Sequence, residues 1–212
     1  MGNLGRDIKV PSSFQLRVRE VLGIVDSDER KTIIQEYTNK DNYVLDEENS
    51  KVFVHQDRLN NIKGNRRIER EKHNRELKTA RRFATHYGVD VFLLPPKLNK
   101  DTLVLTNNKV PDGITIEVFV EFKNSIGSYR SIQEALKKGV VQAELIVIQI
   151  DGTTSEETVF NALNGQKEYL KENEHKGVIV VLGEEFLEYA LNKKELTRSS
   201  FLSWPGTKSL PN

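Results

Sequence analysis

The chain has 212 residues, of which 37% are apolar and 30% are charged, and its formal net charge is +1. This length can bury a real hydrophobic core, and the absence of cysteine excludes disulfides, thiolate metal sites and cysteine nucleophiles. The sequence contains no run of about 18 apolar residues and no apolar segment typical of a signal peptide. We therefore expect no membrane span, and a domain of moderate size that acts in the cytoplasm.

Residues 1–60 are predicted to form a small N-terminal appendage of helices and one hairpin. Two short helices lie between residues 14 and 38 and are separated at Gly23, and Ser27 is suited to cap the second helix. Tyr43–Leu45 and Val52–Val54 are typical of two hairpin strands joined by a polar loop. The alternative for this part of the chain is an extension that packs on the following domain.

A long basic helix is predicted from about Arg66 to His86, because apolar residues recur there at helical spacing and Gly88 suits the position after the helix. From Arg58 to Arg82 there are ten Lys or Arg residues against three Glu, a net charge of +7. This segment is either a solvated helix with internal ion pairs or a surface that contacts phosphates. The candidate phosphate contacts on it are Arg75, Lys78, Arg81 and Arg82.

The rest of the chain alternates between strands and helices. The predicted strands are Val89–Leu94, Leu103–Leu105, Leu145–Ile150 and Val178–Leu182, and apolar residues alternate strictly from Ile114 to Phe122. The predicted helices are Ser131–Lys138, Ser155–Glu172 and Glu184–Leu191. Together with the long helix they predict an α/β domain over residues 61–195, with a mixed central sheet flanked by helices, and a C-terminal tail over 196–212.

Two short motifs carry the chemistry: Pro111-Asp112, and Glu121-Phe122-Lys123. The two-residue period of a strand puts Glu121 and Lys123 on the same side. Carboxylates bind Mg²⁺ or Mn²⁺, which activates water, and a lysine can stabilise charge that develops on a phosphate. In one straight strand Asp112 would lie roughly 30 Å from Glu121. The chain must therefore fold back between them, although it carries no strong turn signal there, or the triplet belongs to an ordinary edge strand.

Three further side chains are candidates for the same site. Glu76 borders the apolar face of the long helix, so it is either an additional metal ligand, direct or through water, or a boundary residue paired with Arg75, Lys72 or a neighbour. Gln133 and Lys137 lie one turn apart on the polar side of the next helix. They would contact phosphate or orient a water, or they are plain solvated side chains.

In this order the motifs resemble the PD-(D/E)xK nuclease superfamily, and more narrowly the C-terminal nuclease domains of contact-dependent growth inhibition toxins and other polymorphic toxins. The resemblance covers roughly residues 66–190. It implies a metal-dependent nuclease core in which Asp112, Glu121 and Lys123 are catalytic and Glu76 is the helix acid. Asp112, Glu121 and Glu76 would hold Mg²⁺ or Mn²⁺. The sequence departs from the family at Ile116-Glu117, where a glycine or asparagine turn is usual.

Three functions follow as expectations. The first is a metal-dependent endonuclease, a toxin-like RNase acting on tRNA, with nucleic acid as partner, RNA preferred over DNA, and a cognate inhibitor protein as a further partner to look for. The second is a DNA endonuclease of the same fold, serving restriction, repair or mobile-element processing. The third is a non-catalytic module that binds nucleic acid or protein on a degenerate nuclease fold.

Overall fold

A mixed sheet flanked by helices organises the protein, which confirms the predicted α/β class. The computed structural model describes residues 12–24, 27–64, 67–96, 110–199 and 201–202. Within these ranges the chain forms nine strands in one sheet and six α-helices. The helices are α1 Ser12–Val21, α2 Asp28–Tyr37, α3 Gln56–Gly64, α4 Arg67–Tyr87, α5 Tyr129–Val140 and α6 Glu156–Asn164. No helix in the described ranges is both long and apolar enough to cross a bilayer.

The strands lie in the sheet in the same order as in the chain. They are β1 Tyr43–Leu45, β2 Val52–His55, β3 Val91–Leu93, β4 Gly113–Thr115, β5 Val118–Ser125, β6 Leu145–Ile150, β7 His175–Leu182, β8 Glu185–Asn192 and β9 Leu196–Arg198. The β2–β3, β5–β6 and β6–β7 pairs are parallel, and the other neighbours are antiparallel. The predicted hairpin of β1 and β2 is confirmed by their antiparallel pairing.

Local signals place the helix ends as expected. Ser27 Oγ accepts the backbone N–H of Arg30 at 3.1 Å, which caps α2. Gly23 and Gly88 follow α1 and α4 with φ of 59° and 67°, the left-handed region that glycine adopts at helix C-termini. The two N-terminal helices and the long helix are therefore confirmed.

The hydrophobic core lies on both faces of the sheet. On one face, Phe83 and Tyr87 of α4 pack with Phe122 and Val147. On the other face, α5 and α6 cover β6 to β8; the residues packed there include Ile132, Leu136, Ile146, Ile148 and Val159. All residues of β6 are buried, as predicted for a central strand, because helices cover both of its faces.

The N-terminal part of the chain shares this sheet and this core. Val18 of α1, and Leu22 directly after this helix, belong to the same core cluster as Phe83 and Tyr87 of α4. Tyr37 of α2 packs with Phe53 and Phe92 of neighbouring strands. The sheet thus extends across the boundary that the sequence predicts near residue 60.

The predicted helix Glu184–Leu191 is wrong, because this segment forms β8. Gly183, with φ of 59°, allows a two-residue turn after β7, and β8 then pairs with β7 along its whole length. Leu187, Tyr189 and Leu191 alternate onto a buried face. Strand pairing therefore outweighs the helical propensity of Glu, Leu and Ala, a common outcome when tertiary contacts compete with local preference.

The predicted helix Ser155–Glu172 is too long. The α-helix ends at Asn164, and a short 3₁₀ turn follows at Lys167–Tyr169. Gly165 has low helix propensity and lies close to α5. A Cβ atom at this position would lie 2.9 Å from the Tyr129 hydroxyl oxygen. The predicted strand Leu103–Leu105 lies outside the described residues.

The predicted alternation from Ile114 to Phe122 is divided between two antiparallel strands. β4 and β5 are joined by the two residues Ile116 and Glu117, whose φ values are 51° and 60°. Two positive φ values define a type I′ hairpin turn, which asparagine and glycine normally occupy. For other residues this conformation costs about 1–3 kcal/mol each. The chain therefore folds back at the point where its local sequence gives no turn signal.

Candidate active site

The β4–β5 hairpin sets Asp112 against Glu121. Gly113 pairs with Val120, so Asp112, one residue earlier, lies opposite Glu121. The Asp112 backbone N–H donates to Glu121 Oε2 at 2.9 Å, and the Phe122 N–H donates to Asp112 Oδ2 at 2.9 Å. Asp112 and Glu121 are only 8% and 2% exposed. The two acids are thus buried neighbours held by reciprocal bonds between side chain and backbone.

Lys123 completes this pair on the same side of β5. Its Nζ forms an ion pair and hydrogen bond with Glu121 Oε1. The Lys123 side chain is largely buried. An ammonium group is therefore held beside Glu121, as the acid-x-lysine spacing predicts.

Glu76 reaches the same region from α4. It is 5% exposed, and its Oε2 lies 2.5 Å from Arg58 Nη2. Its Oε1 lies 3.3 Å from Lys72 Nζ, an ion pair without the geometry of a hydrogen bond, so this buried oxygen accepts none. The predicted pairing with Lys72 is present, and Arg58 is a stronger partner that the sequence did not single out.

Arg58 of α3 is the centre of a network beside the acids. Its Nη1 donates to the carbonyl oxygens of Leu94 and Asp112 at 3.2 and 3.1 Å, and its Nε donates to His73 Nδ1 at 3.1 Å. A buried helix acid requires a cationic partner, and Arg58 begins the basic segment. The buried acid on α4 and the basic segment that begins at Arg58 could have indicated a cationic partner, but they do not specify which cation reaches Glu76.

The acids influence one another electrostatically. Burial and the charge of Asp112 raise the pKa of Glu121 to about 8, against the opposing effect of Lys123. Burial and Asp112 also raise the pKa of Glu76, against Arg58 and Lys72. Burial alone would lower the pKa of Lys72, but the charges of Glu76, Asp112 and Glu121 raise it. Crowded carboxylates of this kind favour a bound cation.

His73 stays neutral beside this cluster. Burial and the nearby Arg58 and Arg81 charges lower its pKa to about 4. Its Nδ1 accepts a hydrogen bond from Arg58 Nε, which the neutral ring can do and the doubly protonated ring cannot. Neither His73 nor any other histidine was predicted to act at the site.

A cleft of about 270 Å³ opens beside the acids. Its walls include Arg58, Lys72, Glu76 and Asp112, together with Pro111. A larger cavity of about 600 Å³ lies near Lys40, Asp90 and Thr115, away from the acids. We assign the site to the smaller cleft because two of the candidate acids, Glu76 and Asp112, line it, whereas none of the candidate site residues lines the larger cavity.

A hard divalent cation fits the donor chemistry of this cluster. Carboxylate oxygens are the ligands that Mg²⁺ and Mn²⁺ prefer, and Glu76 Oε1 is a buried acceptor without a hydrogen bond. As the side chains stand, Glu76 is paired with Arg58 and Lys72, and Glu121 is paired with Lys123. The described residues contain no group of three histidine, cysteine, aspartate or glutamate side chains close enough to hold a metal ion. The predicted ligands Asp112, Glu121 and Glu76 supply suitable oxygens, but they would have to approach one another more closely to hold an ion together.

Two of the predicted phosphate contacts are engaged in structural ion pairs. Arg81 makes a bidentate contact with Asp46 at 2.8 and 2.6 Å and pairs with Glu48 at 2.7 Å. Arg82 donates to Gln149 at 2.8 Å and to the Gly183 carbonyl. Arg81 fastens α4 to the loop between β1 and β2, and Arg82 fastens it to β6 and to the turn at Gly183. A phosphate would have to compete with these partners.

The other predicted nucleic-acid contacts are not bonded to the acids within the described residues. Arg75 and Lys78 are exposed on α4. Gln133 donates to the Tyr129 hydroxyl at 3.0 Å, and Lys137 lies 5.9 Å from the centre of the Tyr169 ring. In the described part of the chain, none of these four side chains forms a hydrogen bond or ion pair with Asp112, Glu121 or Glu76.

Comparisons with protein-family models, with curated proteins and with solved structures gave no match to this chain. The assignment of a function to the site therefore depends on its residues and their geometry.

Proposed function

We propose that the protein is a metal-dependent endonuclease that hydrolyses phosphodiester bonds, with Asp112, Glu121 and Lys123 as its catalytic residues and Glu76 as an additional acid. The observation that carries the proposal is the Asp112–Glu121–Lys123 cluster, which a hairpin assembles from two separated motifs. By resemblance, the substrate is RNA, with tRNA as the expected target of a toxin-like RNase. DNA is the alternative, because it presents the same phosphodiester.

The proposed roles follow from the positions of the groups. A bound Mg²⁺ or Mn²⁺ would polarise the phosphate and lower the pKa of a water. Lys123 Nζ, fixed beside Glu121, would orient the attacking water and stabilise negative charge in the transition state. Asp112 is held by the Phe122 N–H through Oδ2, which leaves Oδ1 for a ligand.

The cleft supplies a cation for the substrate as well. Lys72 lines it, and its side chain is 64% exposed, so its ammonium can contact a phosphate oxygen while remaining near Glu76. Arg75 and Lys78 are exposed on the same helix and would add contacts to the backbone of a longer substrate. Arg81 and Arg82 are not included, because their guanidinium groups are already paired.

The test is cleavage by the full chain of total tRNA, plasmid DNA and single-stranded DNA in Mg²⁺, Mn²⁺ or EDTA. We expect cleavage of RNA with the metals and none in EDTA. Glu121→Gln and Lys123→Ala should abolish or greatly reduce it. The matched controls Glu134→Gln and Lys138→Ala, at exposed positions of α5, should behave as the wild type.

A folded wild-type protein that cleaves none of these substrates in either metal would contradict the proposal. Retained binding of nucleic acid in that case would favour the non-catalytic module. Cleavage of plasmid or single-stranded DNA without cleavage of tRNA would favour the DNA endonuclease.

A further inference from the structure

The turn between β4 and β5 is held by a side chain from α2. Arg30 Nη2 donates to the carbonyl oxygen of Glu117 at 2.9 Å, and its Nη1 contacts Glu144 Oε1 at 2.5 Å. Glu144 Oε2 accepts the backbone N–H of Phe119 at 2.7 Å. The guanidinium also lies 5.2 Å from the centre of the Phe119 ring. One arginine therefore links the turn, the start of β5 and the residue that precedes β6.

The turn needs this support because its backbone conformation is unfavourable for its sequence. Ile116 and Glu117 both have positive φ, 51° and 60°. A β-branched residue is rare in this region, and asparagine and glycine are the usual occupants of such a turn. Burial of the Ile116 side chain, which is 8% exposed, favours the conformation at one position. At the other position the Glu117 side chain is half-exposed, and its carbonyl is the group that Arg30 holds.

β4 is too short to define its register independently. Its three residues pair with β5 from Thr115 with Val118, at the turn, to Gly113 with Val120. The next position brings Asp112 opposite Glu121. A shift of one residue would send the side chains of β4 to the other face of the sheet. The pairing of β4 with β3 also contributes to this register, and the conformation of the turn fixes it on the side of β5, where the two acids meet.

We infer that Arg30 is a positioning residue for the candidate site: by holding the Ile116–Glu117 turn, it maintains the register that sets Asp112 against Glu121. Its catalytic consequence rests on the proposed nuclease function, whereas its effect on the register does not. In the described chain Arg30 forms no hydrogen bond or ion pair with Asp112 or Glu121, so it acts through the hairpin. A residue of the predicted N-terminal appendage then belongs to the catalytic unit.

The test compares Arg30→Ala with the double variant that adds Glu117→Gly. Glycine adopts a φ of 60° readily, so it should restore the turn when the arginine is absent. Arg130→Ala is the matched control, because Arg130 pairs with Glu134 on the exposed side of α5. Two quantities are measured on the full chain: hydrogen exchange of the Asp112 and Phe122 amides by NMR, and Mn²⁺ affinity by electron paramagnetic resonance.

We expect Arg30→Ala to lower the protection of both amides and to weaken Mn²⁺ binding roughly 10–100-fold, the range typical of residues that position metal ligands. Glu117→Gly should restore most of both losses, and Arg130→Ala should match the wild type. Unchanged amide protection in Arg30→Ala would overturn the inference. Losses that Glu117→Gly does not restore would also overturn it, because Arg30 would then support the fold in general.

A second variant covers the case in which Arg30→Ala does not fold. Glu144→Gln weakens the Arg30–Glu144 ion pair by removing the charge of Glu144. Unchanged amide protection, or losses that Glu117→Gly does not restore, would again overturn the inference. If the wild type binds no Mn²⁺, the proposed function fails. The amide measurements would still test the role of Arg30 in the register, because they do not depend on metal binding.

Discussion

Arg58 Nη2 lies 2.5 Å from Glu76 Oε2, so a residue of α3 neutralises the acid that α4 places at the candidate site. The same guanidinium donates to the Asp112 carbonyl, which connects the helix acid to the start of the hairpin. Arg58 and Glu76 are both largely buried. Arg58 therefore contributes both to the charge balance at Glu76 and to the position of the Asp112 backbone.

Arg58→Ala should destabilise the protein by about 3 kcal/mol, because it leaves a buried carboxylate without its main partner. Arg58→Lys should recover little of this loss, since lysine cannot reproduce contacts to Glu76, His73 and two carbonyls together. Urea unfolding measures the free energy. The control is Arg67→Ala, whose side chain is 88% exposed and pairs with Glu71, and its effect should stay below about 1 kcal/mol.

His73 should make stability fall in acid. Its pKa is about 4 in the folded protein and 6.5 ordinarily, so between these values the folded state binds fewer protons than the unfolded state. The contribution of His73 to the free energy of unfolding is therefore fully present above about pH 6.5 and is lost as the pH falls through 4. Glu76 and Glu121 have raised pKa values and give the opposite slope in an overlapping range.

The comparison of wild type with His73→Gln isolates the histidine. Urea unfolding in EDTA from pH 4 to 7 should give a difference in free energy that shrinks towards acid. A difference that is independent of pH would show that His73 does not titrate as its burial predicts.

Glu117→Gly alone should stabilise the protein by about 1 kcal/mol, because glycine removes the backbone cost at a φ of 60°. Gly183→Ala is the matched control, for which we expect the opposite change in stability. It introduces a side chain at a φ of 59° where no atom lies within 4 Å, so strain acts without a clash. Thermal unfolding should show a higher melting temperature for the first variant and a lower one for the second. A shift of the melting temperature in the same direction for both variants would contradict the role of φ at these two turns.

Catalytic and binding variants should separate in kinetics. Lys123→Ala should lower the rate at saturating substrate by roughly 10²–10³-fold, since its ammonium acts on the transition state. Arg75→Ala and Lys78→Ala should weaken binding and reduce its dependence on salt, with little effect on the saturated rate. Single-turnover cleavage and binding titrations at several salt concentrations measure the two effects. A wild-type rate for Lys123→Ala would remove the nuclease assignment.

Arg81→Ala should behave differently from those surface variants. Its bidentate contact with Asp46 ties α4 to the loop between β1 and β2, so its removal should cost about 1–3 kcal/mol of stability. The salt dependence of nucleic-acid binding should stay unchanged, because Asp46 and Glu48 already neutralise the guanidinium. A flatter salt dependence with unchanged stability would return Arg81 to the set of phosphate contacts.

The sequence alone predicted those elements whose cause lies within their own residues. The continuous apolar run Leu145–Ile150 indicated a buried strand, and the structure buries it on both faces. The helical spacing that ends at Gly88 indicated α4, because a left-handed glycine terminates a helix locally. The two-residue period of a strand also predicted that Lys123 lies on the same side as Glu121, and the structure shows the two side chains in contact.

Contacts between residues distant in sequence depend on the packing of whole elements. The turn at Ile116-Glu117 carries no local signal, and Arg30, more than eighty residues earlier, holds it through the Glu117 carbonyl. Segment 185–192 became a strand because β7 offered a complete pairing edge. Arg58 reached Glu76 because α3 and α4 pack together. Such contacts depend on how elements pack in space, and short-range propensity carries no information about that packing.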